Sequence, residues 1–235
     1  AQLRPLARST GAVRLKEMET IVGRADRVSY VVPAARPVSS ALWAVFLAAR
    51  RTDANRDREA PPRCAAGRRC AQAARWLIAL LEGSQEAAFP LERRVLATGP
   101  PGPAPASGWA ITCDASPWGG GGVLLREASP VACFAVAWAP EDCHRAGHAL
   151  GDPAGQTYWE FLTLALSMCL WGSRFQEQSV ALLSDSTAAL QDFMDLKGSP
   201  DMLPIAREVA WRVQVQRWSF AVAHLPNEQN VWADA

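Results

Sequence analysis

The chain of 235 residues is 49% hydrophobic and 20% charged, enough apolar material for one large domain or two small ones. No apolar run approaches the ~18 residues of a membrane span, no charged-then-apolar signal pattern opens the chain, and a start on Ala rather than Met reads as a fragment. The net charge of +1 hides an asymmetry: residues 1–100 carry 17 Lys and Arg against 9 Asp and Glu, and residues 101–235 carry 7 against 14.

A basic half joined to an acidic half fits a phosphate-bearing partner beside a module that concentrates carboxylates, and equally a merely solvated basic surface. Residues 13–32 carry Leu15, Met18, Ile21 and Val22 on one helical stripe, which ends where Pro33 and Pro37 forbid a continuous helix. In "SSALWAVFLAARR", Ser39 or Ser40 can cap a helix bearing Leu42, Val45, Phe46 and Ala49. The Arg-rich stretch about 50–69 reads as an exposed, mobile loop, and a third helix is expected over about 69–83. Four prolines and three glycines in "ATGPPGPAPASG" mark residues 97–107 as a linker between a helical segment, 1–96, and a domain at 108–235.

Beyond the linker the period changes to that of strands. Trp109, Ile111 and Cys113 alternate with Ala110, Thr112 and Asp114, and "GVLLRE" and "VACFAVAWA" complete an antiparallel meander. Residues 140–155 read as a loop and 156–173 as an apolar helix. "SVALLSD" is a short buried strand, Ser186 caps the helix "STAALQDFMDL", "PIAREVAWRVQVQRW" is a helix with Trp211, Val215 and Trp218 on one face, and "SFAVAHLP" is a last strand. The fold class is α/β: a mixed five-stranded sheet in the order βββαβααβ, flanked by helices and preceded by a mostly helical N-terminal segment.

Four acidic residues stand at element edges: Asp114 at the end of the first strand, Glu160 in the first turn of the long helix, Asp185 at the end of the fourth strand and Asp234 after the fifth. Desolvating an unpaired carboxylate costs several kcal/mol, about what discourages an Asp at the end of a buried apolar strand. "AITCD" and "ALLSD" both do this. If those strands are adjacent and parallel, both side chains meet at one sheet edge, where like charges need a proton or a hard divalent cation between them. The glycines of "DASPWGGGGVLL" are followed by a strand and no Lys, so a phosphate-cradling loop is excluded and Gly119 to Gly122 are expected to form a hairpin turn.

"TCDAS.WGGGGVL", "YWEFLTLALSMCLW", "ALLSDSTAAL" and "AHLPNEQNVWAD" resemble, in that order, the ribonuclease H domain of retroelement reverse transcriptases, over roughly residues 107–235. "RLKEMETIVGRADRVSYVVPAARPVSSALW" is similar to the segment that joins the polymerase thumb to ribonuclease H in such proteins. The resemblance implies a ribonuclease H-like fold and hydrolysis of the RNA strand of an RNA–DNA hybrid by Asp114, Glu160, Asp185 and Asp234 with two Mg²⁺ ions, or Mn²⁺ in their place. Asp114 would bridge both ions, Glu160 and Asp185 would hold the one nearer the leaving group, and Asp234 would complete the other. It further implies an upstream polymerase domain in the same polyprotein and no small-molecule substrate, while the cysteine usage reads as intracellular and the lack of a long apolar run reads as no membrane. Two departures stand out: the chain ends one residue after Asp234, where a helix normally follows, and no Tyr-x-Asp-Asp polymerase motif occurs. Gly119, Gly120, Ser186, Arg50, Arg51, Arg68 and Arg69 are candidates for nucleic-acid contact.

Other features have plainer readings. The six cysteines follow no framework spacing and read as reduced thiols. Cys143, His144 and His148 have ligand-like spacing but few neighbours to complete a zinc site. Asp192 and Asp195 belong to the solvated side of a helix, His224 suits a structural hydrogen bond, and Trp171, Trp211 and Trp218 suit a core. Alternatives remain at this level. One is a degenerate ribonuclease H fold that only binds or spaces. Another is an integrase-type nuclease, whose set ends in a helix-borne Glu rather than an Asp.

Overall fold

A computed structural model describes residues 3–50, 63–82, 107–175 and 178–230. The chain divides into two compact units, Ala1–Arg94 and Val95–Ala235.

In the first unit the described elements are α1 (Leu3–Ala7), β1 (Ala12–Arg14), α2 (Leu15–Val31), α3 (Arg36–Arg50), β2 (Cys64–Ala66) and α4 (Gly67–Glu82). The α2 stripe of Met18, Ile21, Val22 and Ala25 is buried, as are Val38, Leu42 and Phe46 of α3 and Cys70, Ala74, Leu77 and Leu80 of α4; α2 packs on α3, α3 packs on α4, and the Cys70 thiol meets the Met18 sulfur at 3.6 Å. β1 pairs antiparallel with β2, Val13 opposite Ala65. Two expectations change here. The helix expected from Ser39 or Ser40 begins at Arg36, because Pro37 fits the first helical turn, and the Ser39 hydroxyl instead donates to Asp26 Oδ1 at 3.4 Å. The Arg-rich stretch is not wholly loop either. Arg50 ends α3, Cys64–Ala66 is a strand and Arg68 lies in the first turn of α4, while residues 51–62 lie outside the described residues.

The second unit contains β3 (Trp109–Ser116), β4 (Gly119–Arg126), β5 (Ser129–Ala137), α5 (Pro140–Ala146), α6 (Gln156–Trp171), β6 (Ser179–Ser184), α7 (Thr187–Asp195), α8 (Leu203–Gln216) and β7 (Ser219–His224). The strands form one sheet in the order β5-β4-β3-β6-β7. β3, β4 and β5 make the expected antiparallel meander, whereas β6 runs parallel to both β3 and β7. This is the mixed five-stranded sheet expected from the order of elements. Helix α6 is apolar on nearly every side, which suits a helix enclosed by its neighbours. It buries Trp159, Phe161, Leu164 and Met168 completely and packs on β3, β4, α7 and α8.

The glycine run is strand rather than turn. Gly119 to Gly122 pair in register with Ser116 to Cys113, and Pro117–Trp118 alone make the turn. Their lack of side chains serves the helix above them. A Cβ on Gly120 would collide with the Thr163 hydroxyl of α6 and the Trp138 ring, and one on Gly122 would lie 2.8 Å from Phe134 and 3.0 Å from the Ser167 hydroxyl. That space lets Trp138 stack on Trp159 with ring centroids 4.8 Å apart. Residues 140–155 are also not simply a loop. Pro140 opens α5, Asp142 accepts from the Ala139 N–H at 3.0 Å, and Gly147 closes the helix in the left-handed conformation at φ 71°. Trp171 and Trp218 are core as expected, but Trp211 is half-buried and Val215 exposed.

Candidate active site

The parallel register of β3 and β6 pairs Ala110 with Ala181, Ile111 with Leu182 and Thr112 with Leu183. Carried two residues further, it brings Asp114 level with Asp185, the residue that follows β6. Asp114 is not the end of its strand, which continues to Ser116. Glu160 stands one turn inside α6, where that helix lies over β3. Ligand oxygens of Asp114, Glu160 and Asp185 all fall within 4.8 Å of one another. Glu160 is 2% exposed, and the two aspartates are half-buried.

The Glu160 carboxyl is held at both oxygens. Gln156, one turn earlier on α6, donates from Nε2 to Glu160 Oε1 at 2.9 Å and to the Ala115 carbonyl of β3 at 2.5 Å. The fully buried Ser184 hydroxyl lies 3.4 Å from Glu160 Oε2, to which it donates, and accepts from the Ser186 N–H at 3.1 Å. Burial, and after it the charges of Asp114 and Asp185, push the Glu160 carboxyl up to about 8, against the opposing effect of the Gln156 hydrogen bond. Without a cation this site therefore keeps a proton near neutral pH. Beside Asp114 on β3, burial pushes the Cys113 thiol up to about 12, so it stays neutral, paired with the Ser167 hydroxyl of α6 at 2.9 Å.

Three converging carboxylates with no nitrogen or sulfur donor are an all-oxygen set, which suits a hard divalent cation. The strain of crowding like charges in a part-buried space is what a divalent cation relieves, so the residues fit the cation. Among the described residues this is the one group of three or more His, Cys, Asp or Glu with metal-site geometry. Cys143, His144 and His148 are not gathered into such a group: Cys143 is buried in α5, His144 is exposed, and His148 Nδ1 lies 3.7 Å from Asp152.

The other expected residues separate. Asp234 and Arg51 lie outside the described residues. Ser186 caps α7, accepting from the Ala189 N–H at 3.4 Å, and adjoins Asp185. A Cβ on Gly120 would meet the Thr163 hydroxyl of α6, and one on Gly119 would lie 2.5 Å from the Val136 carbonyl oxygen. Arg50 is exposed with its guanidinium 5.5 Å over the Phe46 ring, Arg68 is exposed, and Arg69 belongs to α4. His224 ends β7 opposite Ser184 and is exposed. Asp192 and Asp195 are half-buried on α7, where Asp195 Oδ2 accepts from Gln191 at 3.2 Å. Sequence reasoning missed Gln156, Ser184 and Asn230. Gln156 had one signal, its place four residues before Glu160 on the same helix face.

No protein family matches the chain, and no curated protein does. Solved structures do. The chain is similar to a ribonuclease H1 from the halophilic archaeon Halobacterium salinarum at 19% identity and a TM-score of 0.40, covering 54% of this chain and 91% of that one. It is similar to LC11-RNase H1, solved in complex with an RNA/DNA hybrid, at 14% identity and a TM-score of 0.41, with the same 54% and 91% coverage. A foamy viral protease-reverse transcriptase in complex with an RNA/DNA hybrid is similar at 14% identity and a TM-score of 0.36, over 98% of this chain and 28% of that one. All three likenesses are distant.

Proposed function

We propose that residues 107–235 hydrolyse the RNA strand of an RNA–DNA hybrid as the ribonuclease H part of a retroelement reverse transcriptase, with Asp114, Glu160, Asp185 and Asp234 holding Mg²⁺. The observation that carries this reading is the convergence of Asp114, Glu160 and Asp185 within 4.8 Å at the edge shared by two parallel strands and one buried helix. Bound there, two Mg²⁺ ions supply an activated water and stabilise the leaving oxygen of a phosphodiester.

The chain's own residues prepare that site. Gln156 and Ser184 hold both Glu160 oxygens in place, so the carboxyl need not be ordered when the substrate arrives. Burial of Glu160 on the inner face of α6 keeps its carboxyl out of water, which strengthens its electrostatic interactions. A hybrid is recognised by its shape, phosphates and 2′-hydroxyls rather than by base edges. Arg50, Arg51, Arg68 and Arg69 supply charge for phosphates, and residues 1–96 correspond in sequence to the thumb-to-ribonuclease connection.

The test is incubation of the chain with Mg²⁺ and end-labelled RNA presented in an RNA–DNA hybrid, as a single strand and in duplex RNA. Cleavage confined to the hybrid supports the reading. Cleavage of all three forms contradicts hybrid specificity, and intact RNA in all three points instead to a domain that keeps the fold without the chemistry.

A further inference from the structure

β3 and β6 run parallel and end at the sheet edge where Asp114, Glu160 and Asp185 gather, and the turn Pro117–Trp118 leaves β3 at that same edge. Four extended residues reach at most about 14 Å, so Trp118 stands within that distance of Asp114. The turn is fixed from both sides. The Trp138 N–H donates to the Trp118 carbonyl at 2.9 Å, and the Trp138 indole donates to the Ser116 carbonyl at 2.9 Å. The Gly151 N–H donates to the Pro117 carbonyl at 3.1 Å. Gly151, at φ 81°, brings its bare backbone up to the Trp118 ring: a Cβ there would lie 3.3 Å from Trp118 Nε1.

This anchoring orders the ring without covering it. Trp118 is 62% exposed, against 36% for Trp43, the next most exposed of the described tryptophans. Folding gains little from an indole held in water, whereas a ring already ordered costs a ligand little to bind. The substrate proposed for this edge offers a matching surface. An RNA–DNA hybrid keeps A-like geometry, with a wide, shallow minor groove lined by sugars and base edges. The minor groove of B-form DNA is only about 6 Å wide. An indole face can lie on the sugars of the first, and the walls of the second shut it out.

Resting on the function proposed above, we infer that Trp118 is a specificity-determining residue: its exposed indole packs on the sugars of the hybrid's minor groove and so favours a hybrid over duplex DNA. At a rise of about 3.4 Å per nucleotide, the contact falls no more than about four base steps from the bond that is cleaved. It is apolar and uncharged, and so separate from the phosphate contacts of the arginines.

Affinities of the intact chain for a hybrid and for duplex DNA of the same sequence are measured by fluorescence anisotropy in EDTA, where binding is read without metal-dependent cleavage. Trp118→Ala should weaken hybrid binding at least about tenfold and leave DNA-duplex binding within about twofold. Its log–log salt slope on the hybrid should match the wild type, because no phosphate contact is lost. Trp118→Phe keeps a flat ring and should stay within about threefold of the wild type on the hybrid. Equal hybrid affinity in Trp118→Ala overturns the inference, as does an equal loss on both duplexes. So does a wild type that binds the two duplexes alike. A loss that comes with a lowered Tm, and that Trp118→Phe does not rescue, would make the ring a support for the Gly151 loop and nothing more. A wild type that cleaves no RNA, yet loses hybrid binding in Trp118→Ala, removes the proposed hydrolysis and keeps the contact. Hybrid cleavage by the wild type, with binding unchanged in Trp118→Ala, removes the contact alone.

Discussion

Glu160 is enclosed by α6, β3 and β6 with two aspartates beside it, and that enclosure makes its carboxyl a weak acid. In the unfolded chain the group releases its proton near 4.5, whereas in the folded, metal-free chain it keeps it up to about 8. Between these values the folded state binds one proton more than the unfolded state. The contribution to stability is therefore complete below the unfolded pKa and is lost as pH rises to the folded one, at up to about 1.4 kcal/mol per pH unit. Melting in EDTA should show a Tm that falls from about pH 5 to about 8 and then levels. In Glu160→Gln that fall should shrink, and saturating Mg²⁺ should shrink it in the wild type. A wild-type slope equal to that of Glu160→Gln would contradict the buried-proton account. Asp185→Asn removes one of the crowded charges, so it should leave the metal-free Tm equal or raised while lowering Mg²⁺-dependent cleavage about a thousandfold or more. A lowered Tm with cleavage preserved would contradict it.

The fit of α6 onto the glycine half of β4 sets how deep the helix sits and hence how close Glu160 comes to β3. Gly120→Val places a branched side chain where the Thr163 hydroxyl and Trp138 ring already stand, and overpacking of this kind costs about 1–3 kcal/mol. Urea unfolding should show that loss. An unchanged midpoint would mean that the helix is free to lift. Here the sequence told less than the structure. Four glycines declare a permissive backbone, but whether that permits a turn or a close helix depends on contacts with residues forty positions away. The strand-end aspartates were legible because a charge closing a buried apolar run is unusual in itself, and Ser186 was legible as a cap because capping is local. α5 carried its own signals, with Pro140 at its start, acidic residues in the first turn and Gly147 after it, but seven residues are too few for a clear period. Gln156 bridging to Ala115, and Asn230 to Cys113, were illegible because each bond closes only when the sheet is assembled.

Across the whole chain, charge and chemistry are segregated: the excess of Lys and Arg lies in residues 1–100, and the carboxylate centre lies in the acidic remainder. If the basic residues hold phosphates, the affinity for a hybrid must depend on salt, with each lost contact reducing the log–log slope by about 0.9. Replacing Arg50, Arg51, Arg68 and Arg69 with Ala should lower that slope by up to about 4. An unchanged slope would make these arginines a solvated surface only. The central claim is that the converging carboxylates perform hybrid hydrolysis, and it is tested most directly by cleavage of a labelled RNA–DNA hybrid across a Mg²⁺ titration in the wild type and Asp114→Asn. Cleavage that rises with Mg²⁺ in the wild type, and is lost in a variant of equal Tm, is the predicted result; equal cleavage by both chains would contradict it.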